Sequence, residues 1–325
     1  MLLSATVVTW RQPGPGKDPA FGGVARRFGC LALVPFLLGA AAHAAQPTLR
    51  VEVFKGAYAS VNSFILTNGR TAAVIDVQRK RSEARKLADA IKATGLPLSY
   101  MLISHGHTDH FTGMALLHRE FPAARIVVAS ADIKRDIKEY AIYMDTGGAT
   151  AGEPALDPEL KPRSAANPDG FDYDQLIEVL PEPVLRLDGG GVLELTTDYP
   201  ATEAPHMTTA YCRELNAVFL ADLGYNRVHL WMGDDITLVR IAAWRSVLLG
   251  LEEKYSTLHP TIYPGHGDPT DLTLFDNMVH YMDDYVRIVT HAHTADEAWR
   301  QMVALYPSYQ QADFFLKYSV ANHVR

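Results

Sequence analysis

Short apolar segments alternate with longer amphipathic segments from residue 49 onward. The short ones are rich in Val, Ile and Leu and are bounded by turn residues such as Asn68-Gly69, a pair typical of a tight hairpin. The longer ones place apolar residues at helical spacing. This pattern predicts an α/β chain. The predicted strands are Leu49–Phe54, Ser60–Thr67, Thr71–Val77, Tyr100–Ile103, Arg125–Ala129, Val184–Leu187, Val192–Thr197, Thr208–Arg213, Ala217–Ala221 and Thr261–Tyr263. The predicted helices are Ser82–Thr94, Thr112–Glu120, one ending near Tyr140, Ile236–Glu253, and a helical tail over 271–325.

Residues 145–183 interrupt this alternation, because the stretch is rich in Gly, Pro, Ala and Asp. It is longer than an ordinary connection, and we expect a lid or a mobile insertion. Tyr140, Tyr143 and Met144 at its entrance are candidates for apolar contacts with a substrate. The chain has no internal repeat, so we expect one domain over residues 45–325.

The first 44 residues have the parts of an export signal. Arg26-Arg27 precedes the apolar run 28–42, and the A-x-A sequence Ala42-His43-Ala44 follows it. The run is shorter than the ~20 residues that span a bilayer. We expect its removal to leave a periplasmic or secreted protein without stable membrane insertion. Residues 1–23 precede the basic pair, which suggests a misassigned start.

The charge balance argues against a nucleic-acid partner. The chain has 30 Lys and Arg against 37 Asp and Glu, and residues 1–44 hold four of those bases and one acid. The remaining chain therefore carries a formal charge of −10, whereas proteins that bind phosphates carry excess Lys and Arg. Its single cysteine, Cys212, excludes an internal disulfide and is expected to be buried. We expect a small-molecule substrate. The tail aromatics Trp299, Tyr306, Phe314 and Phe315 are expected to pack internally or to form a homodimer face.

Histidines concentrate in residues 104–110, Ser-His-Gly-His-Thr-Asp-His, directly after a predicted buried strand. In extended backbone, residues i and i+2 face the same side, so His105 and His107 can point at one metal ion. Asp109 and His110 follow after the next bend, where they can serve a second ion. Imidazole with a carboxylate suits zinc or iron.

A second His-x-His pair, His291 and His293, provides a contrast. It lies in a predicted helix, where residues i and i+2 are about 200° apart around the axis. Those two side chains therefore cannot share a metal ion, and we expect a solvated helix surface there.

Three further polar residues stand next to predicted strands. His206 lies in a loop between two of them, Asp222 directly follows Ala217–Ala221, and His266 lies just past Thr261–Tyr263. Each is a weak candidate alone. In order behind the histidine segment, they form a set.

With Asp76, this set resembles the metallo-β-lactamase superfamily over roughly residues 50–270. The resemblance implies a four-layer αββα sandwich with metals at one edge of its two sheets. The implied ligands are His105, His107 and His206 for the first metal, Asp109, His110 and His266 for the second, and Asp222 as the bridge. Asp76 would support the ligand loop from behind. The loop 203–208 lacks the glycine of the common Pro-Gly-His-Thr sequence.

The resemblance also implies a hydrolase with two Zn²⁺ ions, and with the export signal we expect an exported enzyme. A hydroxide between the ions, with its pKa lowered to about 7, would attack an ester, lactone, thioester or amide carbonyl. Asp109 would ligate and orient that hydroxide. Tyr225 is a candidate donor to the developing oxyanion, with His229 and Trp231 lining the same pocket.

Two alternatives remain open. A β-lactamase acting on β-lactams has a similar histidine segment, but its exported histidine-only class usually lacks an acid at the Asp222 position. That acid is more similar to glyoxalase II and the lactonases. A mononuclear persulfide dioxygenase would instead hold one Fe²⁺ with His105, His206 and Asp222.

Overall fold

The computed structural model describes residues 49–147, 156–233 and 235–324, so the predicted export signal lies outside them. The strands are β1 (Arg50–Lys55), β2 (Asn62–Thr67), β3 (Ala72–Ile75), β4 (Leu98–Leu102), β5 (Arg125–Val128), β6 (Ile177–Val179), β7 (Val184–Arg186), β8 (Val192–Thr196), β9 (Thr209–Cys212), β10 (Ala217–Asn226) and β11 (Thr261–Gly267). The helices are α1 (Arg81–Ala93), α2 (Thr108–Phe111), α3 (Met114–Glu120), α4 (Ala131–Asp145), α5 (Tyr173–Leu176), α6 (Leu238–Tyr255), α7 (Thr273–His291), α8 (Ala295–Leu305) and α9 (Lys317–His323).

The strands form two sheets. The first has the order β1-β2-β3-β4-β5-β6, with antiparallel pairing from β1 to β3 and parallel pairing from β3 to β6. The second has the order β11-β10-β9-β8-β7, and its β10–β11 pair is parallel. None of the helices in the described residues is long and apolar enough to cross a membrane.

Three groups of buried side chains define four layers. One lies between the sheets, where the rings of Phe64 and Phe219 are 5.1 Å apart and Cys212 is buried. A second fills the space between the first sheet and helices α1, α3 and α4. The third packs the second sheet against α6, α7 and α8, around the fully buried Trp244. This arrangement confirms the predicted αββα sandwich.

Two strands continue further than the sequence predicts. β10 runs to Asn226 and β11 to Gly267, so Asp222 and His266 lie within strands rather than after them. The pairing register shifts around Ala221, which has a positive φ of 47°. Such irregularities redirect side chains at a sheet edge. Gly265 allows the close approach of the strands, because a Cβ there would lie 2.2 Å from Asp222 Oδ1.

The described part of the insertion belongs to the framework. Leu160 and Tyr173 are buried with the helices under the first sheet, and the Tyr173 hydroxyl donates to the Leu160 carbonyl at 2.7 Å. Residues 177–179 form β6, which pairs with β5. Residues 156–183 are not among the residues that line the cavity described below, and the lid interpretation stays a prediction.

The C-terminal segment returns to the second sheet. The Gln310 amide donates to the Arg227 carbonyl, and the His229 amide donates to the Gln310 carbonyl, both at 2.9 Å. Gln311 then takes a left-handed conformation, and a π-helical turn, Ala312–Leu316, follows. This turn places Phe314 and Phe315 next to the edge of the sheet that carries Asp222 and His266.

Candidate metal centre

The loop after β4 is held from behind by Asp76, which directly follows β3 in a left-handed conformation. Its carboxylate accepts hydrogen bonds from the Ser104 amide (2.8 Å), the Ser104 hydroxyl (2.7 Å) and His110 Nδ1 (2.8 Å). Because the Ser104 hydroxyl donates to Asp76, it accepts from His105 Nδ1 at 2.9 Å. One buried carboxylate therefore orients two imidazoles.

His266 is oriented in the same way from the other sheet. Its Nδ1 donates to the Ala59 carbonyl at 2.8 Å. Three buried histidines thus use Nδ1 as a donor to the framework and direct Nε2 inward. Their Nε2 atoms lie near the Asp222 carboxylate, at 3.6 Å for His105 and 3.1 Å for His110 and His266. This leaves the inward nitrogen of each ring as a metal-binding atom.

Asp222 lies between two groups of ligand-type residues. The first group contains His105, His107, Glu203 and Asp222, and the second contains Asp109, His110 and His266. Because Asp222 is as close to His110 and His266 as hydrogen-bond partners are, its carboxylate reaches both groups. Such a position is the one expected of a bridging ligand.

The carboxylates control the charge of this centre. Burial alone lowers the pKa of a histidine and raises that of a carboxylic acid. In His110 the carboxylates of Asp222 and Asp76 outweigh burial and raise the pKa well above its usual range. The surrounding histidines hold the pKa of Asp222 well below its usual range despite its burial. The centre is therefore a buried site that favours added positive charge.

Several buried polar atoms here lie near other ligand-type groups but make no well-directed hydrogen bond. They are His105 Nε2, His110 Nε2, Asp222 Oδ1 and both carboxylate oxygens of Glu203. Leaving such atoms unpaired is costly, and all of them belong to ligand-type groups that face one another. Imidazole nitrogens mixed with carboxylate oxygens form a set that binds zinc or iron. The residues therefore fit a metal centre.

A model of the metallo-beta-lactamase superfamily matches residues 58–266. The chain belongs to this superfamily. Solved structures with a similar fold include a metallo-beta-lactamase from Pontibacter korlensis, which is 15% identical, with 73% of this chain and 95% of that chain covered and a TM-score of 0.52. A metallo-beta-lactamase family protein from Thermus thermophilus is 16% identical, with coverages of 85% and 92% and a TM-score of 0.56. A beta-lactamase domain protein from Burkholderia ambifaria is 16% identical, with coverages of 86% and 85% and a TM-score of 0.57. No curated protein sequence matches the chain.

One residue of the superfamily pattern is not where the sequence predicts. His206 is 35% exposed at its side chain, and its Nδ1 bonds Asp136 Oδ2 at 2.8 Å. It is absent from both ligand groups of the described residues, and Glu203 is present in its place. Glu203 is buried, with Oε1 2.9 Å from His107 Nδ1 and Oε2 3.9 Å from His105 Nε2.

The Glu203 position follows from how its loop is held. Arg240 donates from Nε to the Thr202 carbonyl at 2.7 Å and from Nη2 to the Glu203 carbonyl at 3.1 Å. These bonds fix the backbone so that the Glu203 side chain enters the centre. The sequence offered one signal for Glu203, an acid three residues before His206 in the same short loop.

Tyr225 is buried and bonded within the centre. Its hydroxyl donates to Asp222 Oδ2 at 3.2 Å, and its ring stacks on His266 with centroids 4.6 Å apart. Burial raises its pKa well above the usual range, so it keeps its proton. This bond positions Asp222, and because Tyr225 also lines the cavity, the oxyanion role expected from the sequence stays a prediction. His229, buried against the Tyr281 hydroxyl, is not among the residues lining the cavity.

A cavity of about 530 Å³ opens onto the centre. His107, Asp109, Glu203 and Asp222 form its floor, so the ligand groups are accessible to a small molecule. Its walls include Trp231 as well as Tyr140 and Tyr143, which were expected to contact a substrate. Met144, the third residue of that expectation, is buried in the core under the first sheet instead. Phe314 and Phe315 also line the cavity, so these tail residues do more than pack internally.

Proposed function

We propose that this protein is an exported hydrolase that holds two metal ions, both Zn²⁺, and cleaves an ester, lactone, thioester or amide of a small molecule. The observation that carries the proposal is the convergence of three inward Nε2 atoms on one carboxylate, Asp222, that reaches both ligand groups. The ligands would be His105, His107, Glu203 and Asp222 for one ion, and Asp109, His110, His266 and Asp222 for the other. Bound metal ions would supply a hydroxide near neutral pH and polarise the substrate carbonyl.

The protein's own groups would prepare this chemistry. Asp76 fixes the tautomers of His105 and His110, and Tyr225 holds one oxygen of Asp222. Asp109 lines the cavity, with its oxygens 3.7 Å from His266 Nε2 and 3.8 Å from His110 Nε2. We assign to it the role of accepting a proton from the attacking water. The cavity would orient the bound ester or amide against that water.

The test is the metal content of the chain from residue 45, purified without chelator or affinity histidines. We expect two zinc equivalents per chain and hydrolysis of at least one member of a panel of lactones, thioesters and aryl esters. Asp222→Ala should lose both equivalents and the activity together, whereas Asp198→Ala, an exposed control, should lose neither. A protein that takes up no zinc on titration would refute the proposal.

A second candidate is a mononuclear iron enzyme that uses oxygen. It is favoured by Glu203, because His105, His107 and Glu203 form a two-histidine, one-carboxylate set of the kind that binds Fe²⁺ in oxygenases. The same purification separates the two proposals. One iron equivalent per chain, with oxygen uptake on a persulfide, would favour this candidate.

A further inference from the structure

We infer that the cavity accepts substrates that carry an aromatic or large apolar group and no carboxylate or phosphate. This inference rests on the proposed hydrolase function and names the substrate class of the same site. It follows from two independent properties of the cavity walls, their aromatic rings and the sign of their charges.

One wall is a continuous aromatic surface. The half-buried rings of Tyr58 and Trp231 lie 5.6 Å and 6.1 Å from the ring of Phe314. Phe315 continues the surface inward, with its centroid 5.0 Å from that of Phe314 and 5.2 Å from that of His266. The aromatic wall therefore ends directly at a proposed metal ligand, where a ring beside the scissile bond would contact it.

A second group of aromatic lining residues comes from helix α4. The ring centroid of Tyr140 lies 6.5 Å from that of His107, and the ring centroid of Tyr143 lies 5.8 Å from that of Tyr140. Tyr143 is 46% exposed. These two rings add to the aromatic lining of a cavity whose volume is typical of small-molecule sites.

The charged residues in the walls are acidic. Asp136, Glu139 and Asp235 line the cavity above the ligand groups, and its lining residues within the described chain include no lysine or arginine. The nearby Arg240 is bonded to Asp235 and to the backbone of the Glu203 loop, and Lys80 lies over the outer ring of Tyr58. A substrate carboxylate held against these walls, away from the proposed metal ions, would meet acidic side chains and no lysine or arginine of the lining.

Two of the four rings in the aromatic wall, Phe314 and Phe315, come from the tail, outside residues 58–266 that match the superfamily model. The Ser60 hydroxyl donates to Gln310 Oε1 and accepts from Gln311 Nε2, both at 2.8 Å. These bonds join the tail to the loop that carries Tyr58. The tail therefore contributes directly to the wall from which the substrate preference is inferred.

The test compares two esters that differ by one group, 2-naphthyl acetate and 6-carboxy-2-naphthyl acetate. We expect kcat/KM to be about tenfold or more lower for the carboxylated ester, because its charge is left without a partner. Glu139→Lys should reduce this difference, while Glu253→Lys, the same charge change on an exposed part of α6, should not. Equal rates, or faster cleavage of the carboxylated ester, would overturn the inference.

A binding measurement on metal-free protein separates this inference from the proposed function. Calorimetry should detect 2-naphthol more strongly than 6-carboxy-2-naphthol, and Phe314→Ala should weaken 2-naphthol binding about tenfold. Leu305→Ala, an exposed tail residue away from the cavity, is the matched control. Binding with this pattern but no hydrolysis by the zinc-loaded protein would refute the hydrolase and leave the inference standing. Equal binding of both naphthols, or no effect of Phe314→Ala in a folded protein, would refute the inference.

Discussion

Two loops meet at the centre, and they contribute to it very unequally. Residues 104–110 leave the first sheet and turn four ligand-type side chains inward, whereas residues 203–208 contribute Glu203 and turn His206 outward to Asp136. Each loop is held from behind by one charged residue, Asp76 for the first and Arg240 for the second. The loops are also joined to each other, because the Thr208 amide donates to the Ser104 carbonyl at 2.9 Å.

The difference shows that backbone direction decides which side chain becomes a ligand. In the first loop the extended backbone presents alternate residues to the same side, so His105 and His107 both reach Glu203. In the second loop Arg240 fixes the carbonyls of Thr202 and Glu203, and the side chain three residues later leaves the centre. The carboxylate of Glu203 therefore occupies the ligand position that the sequence predicted for His206.

The strongest test of this difference between the two loops is to replace Glu203. Glu203→Gln should lead to loss of the ion that would bind His105, His107 and Glu203, with an affinity loss above the ~100-fold typical of supporting residues. The reason is that a carboxylate ligand is replaced by a weakly binding amide. Metal content after dialysis, and competition with a chromophoric chelator, measure this loss. Glu253→Gln is the exposed control. Retention of two equivalents would show that Glu203 does not hold the metal.

Replacing Asp76, which holds the first loop from behind, should have the next largest effect on metal affinity. Asp76→Asn should lower metal affinity about 10- to 100-fold, since the amide cannot accept all the bonds that orient His110 and Ser104. Chelator competition measures the change, and thermal unfolding checks that the variant is folded. Asp89→Asn, on the exposed face of α1, should match the parent protein. Unchanged affinity in Asp76→Asn would mean that the histidines are oriented without this carboxylate.

The support of the second loop should matter less. Arg240→Met keeps an unbranched side chain similar to the arginine stem and removes its bonds to the two carbonyls, so we expect roughly a tenfold loss of affinity at the first site only. Stepwise zinc titration distinguishes this result from a loss at both sites. Equal loss at both would show that the two loops respond as one unit.

The smallest effect is expected for His206. His206→Ala should retain both metal equivalents and lower the free energy of unfolding by at most about 1 kcal/mol, because its pair with Asp136 is partly exposed. Metal analysis and urea denaturation measure the two quantities. Loss of the first ion in this variant would show that His206 is a ligand, as the family pattern implies, and that the second loop does not turn it away from the metal.

Local periodicity predicted the strands, the helices and the first loop, whereas the four layers were implied by the resemblance to the superfamily. Alternating apolar segments define the strands, and the i, i+2 spacing of His105 and His107 needs only an extended backbone. The exchange of His206 for Glu203 was not predictable in this way. It depends on Arg240 and Asp136, which lie far away in the sequence and act through tertiary contacts.

The tail part of the aromatic wall could not be predicted from the sequence either. Phe314 and Phe315 have the composition of packing residues, and they reach the cavity through a π-helical turn after a left-handed Gln311. No sequence pattern specifies that turn. It is held by bonds from Gln310 and Gln311 to Ser60, about 250 residues earlier in the chain.

The buried Cys212 has a practical consequence for labelling chemistry. It is the single thiol of the chain after residue 44, it lies between the two sheets, and burial raises its pKa to about 11. Thiol reagents attack the thiolate, so this cysteine should stay unmodified in the folded protein. A cysteine introduced at the exposed Tyr143 would then be the one reactive site, and a fluorophore attached there would report directly on occupancy of the cavity.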